Sequence, residues 1–206
     1  VTEEQVAEIQ QKVRAHLDED FEASASYKPN KADWLEGKWQ GLTTAPSTEE
    51  RKGQTDVSME LLKEVGTAIS TVPDSFNLNS KLRRFFDNRA KALDSGEGID
   101  WATGESLAFG TLLTEGHLVR LSGQDVARGT FSQRHVVVTD QENEDTFIPL
   151  EQIRPGEQAK FIARNSTLSE AAVLGFEYGL SLADPEVLVM WEAQFGDFAN
   201  GAQFIF

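Results

Sequence analysis

FIARNSTLSEAAVLGFEYGLSLADPEVLVMW, residues Phe161 to Trp191, decides the fold. It opens on the short apolar run Phe161 to Ala163 and closes on Val187 to Trp191, which is nearly continuous in apolar residues. Between them, Ser166 to Leu182 carries Ala, Leu and Phe at helical spacing behind Ser166 or Thr167 as the cap. The stretch therefore reads as strand, helix, strand. An apolar strand without alternation is one buried on both faces, and a helix between two strands is the crossover that parallel pairing needs.

Working outward, Leu118 to Leu121 reads as another short buried strand, and Trp101 to Leu113 as a helix that ends at Gly116. Val136 to Val138 and Phe147 to Leu150 flank the polar stretch Asp140 to Asp145, a pattern for a hairpin excursion. Helix, strand, excursion, strand, helix, strand is an alternation that predicts an α/β fold, a parallel sheet with flanking helices, over residues 97–206.

Residues 1–96 have a different texture and read as a helical inter-domain linker region. Thr2 and Gln5 form a capping-box pattern ahead of Val6, Ile9, Val13 and Leu17, which recur at helical spacing. From Asp18 to Gln54 the pattern gives way to Gly, Pro, Ser, Thr and charges, with Trp34, Leu35 and Trp39 as packing points. Helical periodicity returns at Met59, Leu62, Val65 and Ile69, stops near Pro73, and resumes from Leu78 to Leu93. Arg83, Arg84, Arg89 and Lys91 are interleaved with those apolar positions and read as the wet face of a surface helix rather than as an anion-binding patch.

The 206 residues are 39% hydrophobic, enough for a domain with a proper core and a helical extension. Lys and Arg total 19 against 34 Asp and Glu, a net charge of −15 that disfavours nucleic acid. No cysteine occurs, which excludes disulfides and thiolate chemistry and fits a reducing compartment. Apolar runs fall far short of the roughly 20 residues a spanning helix needs, so no membrane role is expected. Three histidines without ligand-like spacing give no case for a transition-metal site. The absent initiator methionine and the apolar Phe204 to Phe206 read as cut ends.

Ligands of open parallel sheets bind beyond the carboxyl ends of the strands. Three segments fall there: Ser122 to Asp125, Asn165 to Glu170, and Glu192 to Phe198. Glu170 has two readings, an ordinary first-turn carboxylate favoured by the helix dipole or a site carboxyl. Asp125 and Asp197 serve equally as loop caps. Phe195 and Phe198 read as core filling or as the stacking wall for a flat heteroaromatic ring. His135 is either a loop histidine bonded to backbone or a carboxylate-binding, proton-shuttling group.

Several long motifs carry a resemblance. Leu121-Ser122-Gly123-Gln124-Asp125, Arg128 to His135 (RGTFSQRH), Leu168-Ser169-Glu170 with Gly175 to Gly179 (GFEYG), and Trp191 to Phe198 (WEAQFGDF) resemble the decarboxylating, thiamine-diphosphate-dependent component of 2-oxoglutarate dehydrogenase complexes. The likeness is densest from Trp101 to Gln203, in the family's transketolase-like pyrimidine-binding domain. It implies that Glu170 hydrogen-bonds the cofactor's aminopyrimidine ring at the nitrogen opposite the exocyclic amine. It further implies that Gln124 touches the cofactor from the neighbouring loop, and that Phe198 stacks on the ring with Phe195 in support. In that family the diphosphate and Mg2+ are held by a separate domain through a glycine-aspartate-glycine motif, which these residues lack, so it is expected upstream.

The implied parent is a homodimer that decarboxylates 2-oxoglutarate in the tricarboxylic acid cycle and succinylates the lipoyl domain of a dihydrolipoyl succinyltransferase. It would sit in a bacterial cytoplasm or in the mitochondrial matrix. Two other readings stand beside it, a 2-oxoadipate dehydrogenase-like paralogue and a non-enzymatic α/β interaction module.

Overall fold

The computed structural model describes residues 2–28, 37–48 and 53–205. The chain divides into two compact units, Val1–Thr43 and Thr44–Phe206.

The first unit holds α1 (Glu3–Ser24), which opens on the expected capping box. Thr2 Oγ1 accepts from the Gln5 amide at 3.3 Å, and the Thr2 amide donates to Gln5 Oε1 at 2.9 Å. The helix runs on past Asp18, where the sequence pattern predicts its loss, because Asp18 to Ser24 contains neither Gly nor Pro to stop it. The stripe Val6, Ile9, Val13 and Leu17 is exposed. Trp39 lies half-buried in the short 3-10 turn Gly37–Trp39, whereas Trp34 and Leu35 fall outside the described residues.

The second unit begins with α2 (Met59–Ile69) and α3 (Ser80–Ser95), followed by α4 (Trp101–Thr114). Then come β1 (Val119–Gly123), the hairpin strands β2 (Val138–Thr139) and β3 (Thr146–Phe147), and β4 (Phe161–Asn165). The chain closes with α5 (Glu170–Ala183), β5 (Leu188–Glu192) and the 3-10 segment Gly196–Ile205. β1 is central and parallel to both neighbours, in the order β4-β1-β5, with Val119 beside Phe161 on one side and Leu188 on the other. β2 and β3 pair antiparallel, as the excursion predicts.

The core joins Val65 and Ile69 of α2, Phe109 and Leu113 of α4, Val119 of β1 and Phe161 of β4. Each such side chain removed from water contributes about 1.5–3 kcal/mol, and the Phe109 and Phe161 rings stack at 5.7 Å. Residues 59–95, read as linker, thus pack into the same core as the sheet. The crossing of α2 over α4 depends on Gly110, where a Cβ would lie 2.3 Å from Val65 Cγ1.

Three expectations need correction. β5 is not buried on both faces: among the described strands it is a sheet edge, half-buried, with Leu188 exposed. Its apolar residues Val189, Met190 and Trp191 are all half-buried, and Met190 packs against the core. The cap of α5 is Ser169, whose Oγ accepts from Ala172 N at 3.4 Å, whereas Ser166 Oγ accepts from Leu168 N at 3.2 Å in the preceding turn. Arg89 is no wet-face residue, being only 4% exposed. Its guanidinium donates to the Ile69 and Arg134 carbonyls and lies 4.6 Å over the Phe85 ring. Burial pulls its pKa down to about 10, against the opposing pull of Asp100 and Glu105. Arg83, Arg84 and Lys91 are exposed, as the surface reading has them.

Candidate cofactor half-site

The parallel register carries the carboxyl ends of β1, β4 and β5 to one level, with Gly123 beside Asn165 and Glu192. Gly123 is required there. Its φ is 151°, and a Cβ would meet the Glu192 carbonyl oxygen at 2.2 Å, so a side chain would force β1 and β5 apart. The loops beyond are tied to one another by backbone donors. Ser166 N donates to the Gly123 carbonyl at 2.7 Å, and Ala127 N to Asn165 Oδ1 at 3.0 Å.

Two of the three sequence-predicted site residues come together at this edge. Gln124, the first residue after β1, donates from Nε2 to Glu170 Oε1 at 3.3 Å. Glu170 opens α5 behind Ser169, where the free amides of the first turn favour a carboxylate. Both line a small crevice with Gly123, Val173, Trp191 and Gln194. Among the described residues, Glu170 Oε2 has no hydrogen-bond partner, which leaves an acceptor for a ligand.

Phe198 and Phe195 lie outside that crevice, in the segment that follows its lining residue Gln194. The Phe198 ring meets Phe195 edge-on at 5.8 Å, and Phe195 meets Phe131 of the β1 loop at 5.9 Å. Phe195 and Phe198 remain 46% and 42% exposed, so they are not core filling. Asp125 accepts from Gln194 Nε2 and from Arg128 Nη2, both at 3.3 Å, which links the β1 and β5 loops. His135 is buried, with Nε2 2.9 Å from the Ser132 carbonyl and its ring edge-on to Phe85 at 5.0 Å. A carbonyl only accepts, so Nε2 carries the proton, and burial holds the imidazole below its ordinary pKa despite that hydrogen bond.

Sequence reading passed over two guanidinium sites, one half-buried at Arg120 and one buried at Arg134. Arg120 of β1 grips Glu177 of α5 bidentately at 2.7–3.1 Å, and Glu177 holds Arg120 above its ordinary pKa. Arg134 lies between Glu105 of α4 and Glu192 of β5. The signal available in sequence is a charged residue inside the short apolar strand for Arg120 and an arginine in the loop after it for Arg134, and neither reveals its distant partners.

A three-stranded parallel sheet with flanking helices, bearing an amide–carboxylate pair and exposed aromatics beyond its strand ends, defines an α/β domain of the open parallel-sheet class. Residues 97–206 match the family described as transketolase, pyrimidine binding domain, over half of the chain, and the chain belongs to that family. It is also 58% identical over its whole length to the 2-oxoglutarate dehydrogenase E1 components of Brucella canis and Brucella abortus (strain S19), and 56% identical to that of Brucella anthropi. The chain spans about a fifth of those relatives, 20% of the first two and 21% of the third. The resemblance drawn from the motifs is borne out.

Proposed function

We propose that this chain supplies the pyrimidine half-site of a thiamine-diphosphate-dependent 2-oxoglutarate dehydrogenase of the succinyl-transferring type. The observation that carries the reading is the Gln124–Glu170 pair at the carboxyl ends of the parallel strands, with a Glu170 oxygen left for a ligand. The names of its relatives favour 2-oxoglutarate over 2-oxoadipate as the substrate.

The residues fit a flat, hydrogen-bonding heteroaromatic ring. Glu170 holds a proton at the ring nitrogen opposite the exocyclic amine, and Gln124 orients the Glu170 carboxyl through its amide. Phe198 gives a stacking face, and Phe195 braces it from behind. When bound, thiamine diphosphate supplies the electron sink for decarboxylation of a 2-oxo acid. A separate domain of the parent holds the diphosphate and Mg2+, and residues 1–96 connect that domain to residues 97–206. The assembled parent is a homodimer that passes a succinyl group to the lipoyl domain of its acyltransferase partner, in the cytoplasm of a bacterium.

Replacing Glu170 by Gln in the full-length protein should abolish carbon dioxide release from 2-oxoglutarate; retained turnover would sink the reading. This chain alone, given thiamine diphosphate, Mg2+ and 2-oxoglutarate, should release none.

A further inference from the structure

We infer that Arg134 is a positioning residue that sets the distance between the two walls of the half-site. The inference rests on the pyrimidine half-site reading. Arg134 is 3% exposed, and all of its N–H donors are used. Nε and Nη2 donate to the Glu105 carboxylate at 2.6 and 3.1 Å. Nη1 donates to the Val126 carbonyl at 3.0 Å and to Glu192 Oε1 at 2.8 Å, and Nη2 also donates to Glu192 Oε2. One planar fork therefore joins α4, the loop that begins with Gln124, and the end of β5.

The positions of those partners give the joint its meaning. Val126 lies two residues after Gln124, on the wall that meets Glu170. Glu192 is the last residue of β5 and leads directly into Ala193, Gln194 and Phe195. The Gln194–Asp125 hydrogen bond is a second tie between the same two loops, but it is a single 3.3 Å contact. Arg134 is itself held from behind, because Arg89 Nη2 donates to its carbonyl at 3.2 Å. A lysine keeps the charge at this position, yet its ammonium cannot serve two carboxylates and a carbonyl from one plane. The β5 loop would then be free to shift relative to Gln124, and small displacements of ring-positioning groups carry large penalties.

The test uses the full-length apo-protein that contains this chain, with Arg134→Lys, Glu192→Gln and, as a control away from the crevice, Arg154→Lys, which removes the bidentate fork on Glu64. Calorimetric titration with thiamine diphosphate and Mg2+ is compared with titration by inorganic diphosphate and Mg2+, a ligand without a ring. Arg134→Lys should weaken thiamine diphosphate by about tenfold or more and leave inorganic diphosphate within about twofold. Arg154→Lys should change neither. If Arg134→Lys does not fold, Glu192→Gln should show the same selective loss at smaller amplitude. Unchanged thiamine diphosphate affinity, or equal weakening of both ligands, overturns the inference. Inactive Glu170→Gln beside an unaffected Arg134→Lys would reject the positioning role alone, whereas active Glu170→Gln would reject the half-site reading itself.

Discussion

Glu177 stands two helical turns along α5 from Glu170, and the two carboxylates live in opposite circumstances. Glu177 is buried in a bidentate pair with Arg120, whereas Glu170 is half-buried and takes one 3.3 Å bond from Gln124. The first arrangement is structural, because removing one partner of a buried pair strands the other charge. The second leaves carboxylate capacity unused, as a ligand site does. Glu177→Gln should therefore cost about 3 kcal/mol in urea unfolding, and Glu170→Gln under about 1 kcal/mol. A large stability loss from Glu170→Gln would make it a structural group.

Gly123 should be irreplaceable even by alanine. The Cβ would meet a backbone oxygen at 2.2 Å rather than a side chain able to turn away, and the glycine φ of 151° adds strain. Gly123→Ala should cost about 2–4 kcal/mol and loosen β5 from β1. Faster amide hydrogen exchange at Leu188 to Glu192 than at Phe161 to Ala163 would report that selective opening; uniform exchange in the two strands would contradict it.

The strand-helix-strand unit was legible because its apolar runs match their elements nearly residue for residue, and because a crossover helix allows few topologies. That the segments holding Gln124 and Glu170 meet was legible for a related reason, although the choice of those two residues within them came from the resemblance. They are 46 positions apart, but each occupies an element end, and the parallel register brings those ends together. The cap of α5 was not, since Ser166, Thr167 and Ser169 are all competent and only the hydrogen bonds choose among them. Arg89 and Arg134 were hidden more deeply. The partners of Arg134 lie 29 and 58 positions away, and nothing local distinguishes a guanidinium that will be buried from one that snorkels.

The approach of α2 to α4 offers a test of core packing independent of the site. Gly110→Ala adds one methyl where Val65 Cγ1 would lie 2.3 Å away. The gain in helix propensity, about 1 kcal/mol, is outweighed by overpacking that costs about 1–3 kcal/mol. Val65→Ala frees that space, so the double variant should be more stable than the sum of the two single losses by about 1 kcal/mol or more. Strict additivity in denaturant midpoints would show that the helices do not meet at this point.

His135 should make stability depend on pH in a defined direction. Burial depresses its folded-state pKa below the ordinary histidine value, with Arg89 and Arg128 adding repulsion to the imidazolium and the Ser132 carbonyl opposing them. The unfolded chain then binds this proton more readily than the folded one. The contribution is fully present above about pH 6.5, the unfolded value, and is lost as pH falls toward the lower folded pKa. His135→Asn removes the titrating group while keeping a residue that tolerates the positive φ of 49° at this position. Urea midpoints taken between about pH 7.5 and pH 5 should fall more steeply for the parent chain than for His135→Asn. Equal slopes would mean that the imidazole titrates alike in both states and is not held neutral by its buried place between Phe85 and Ser132.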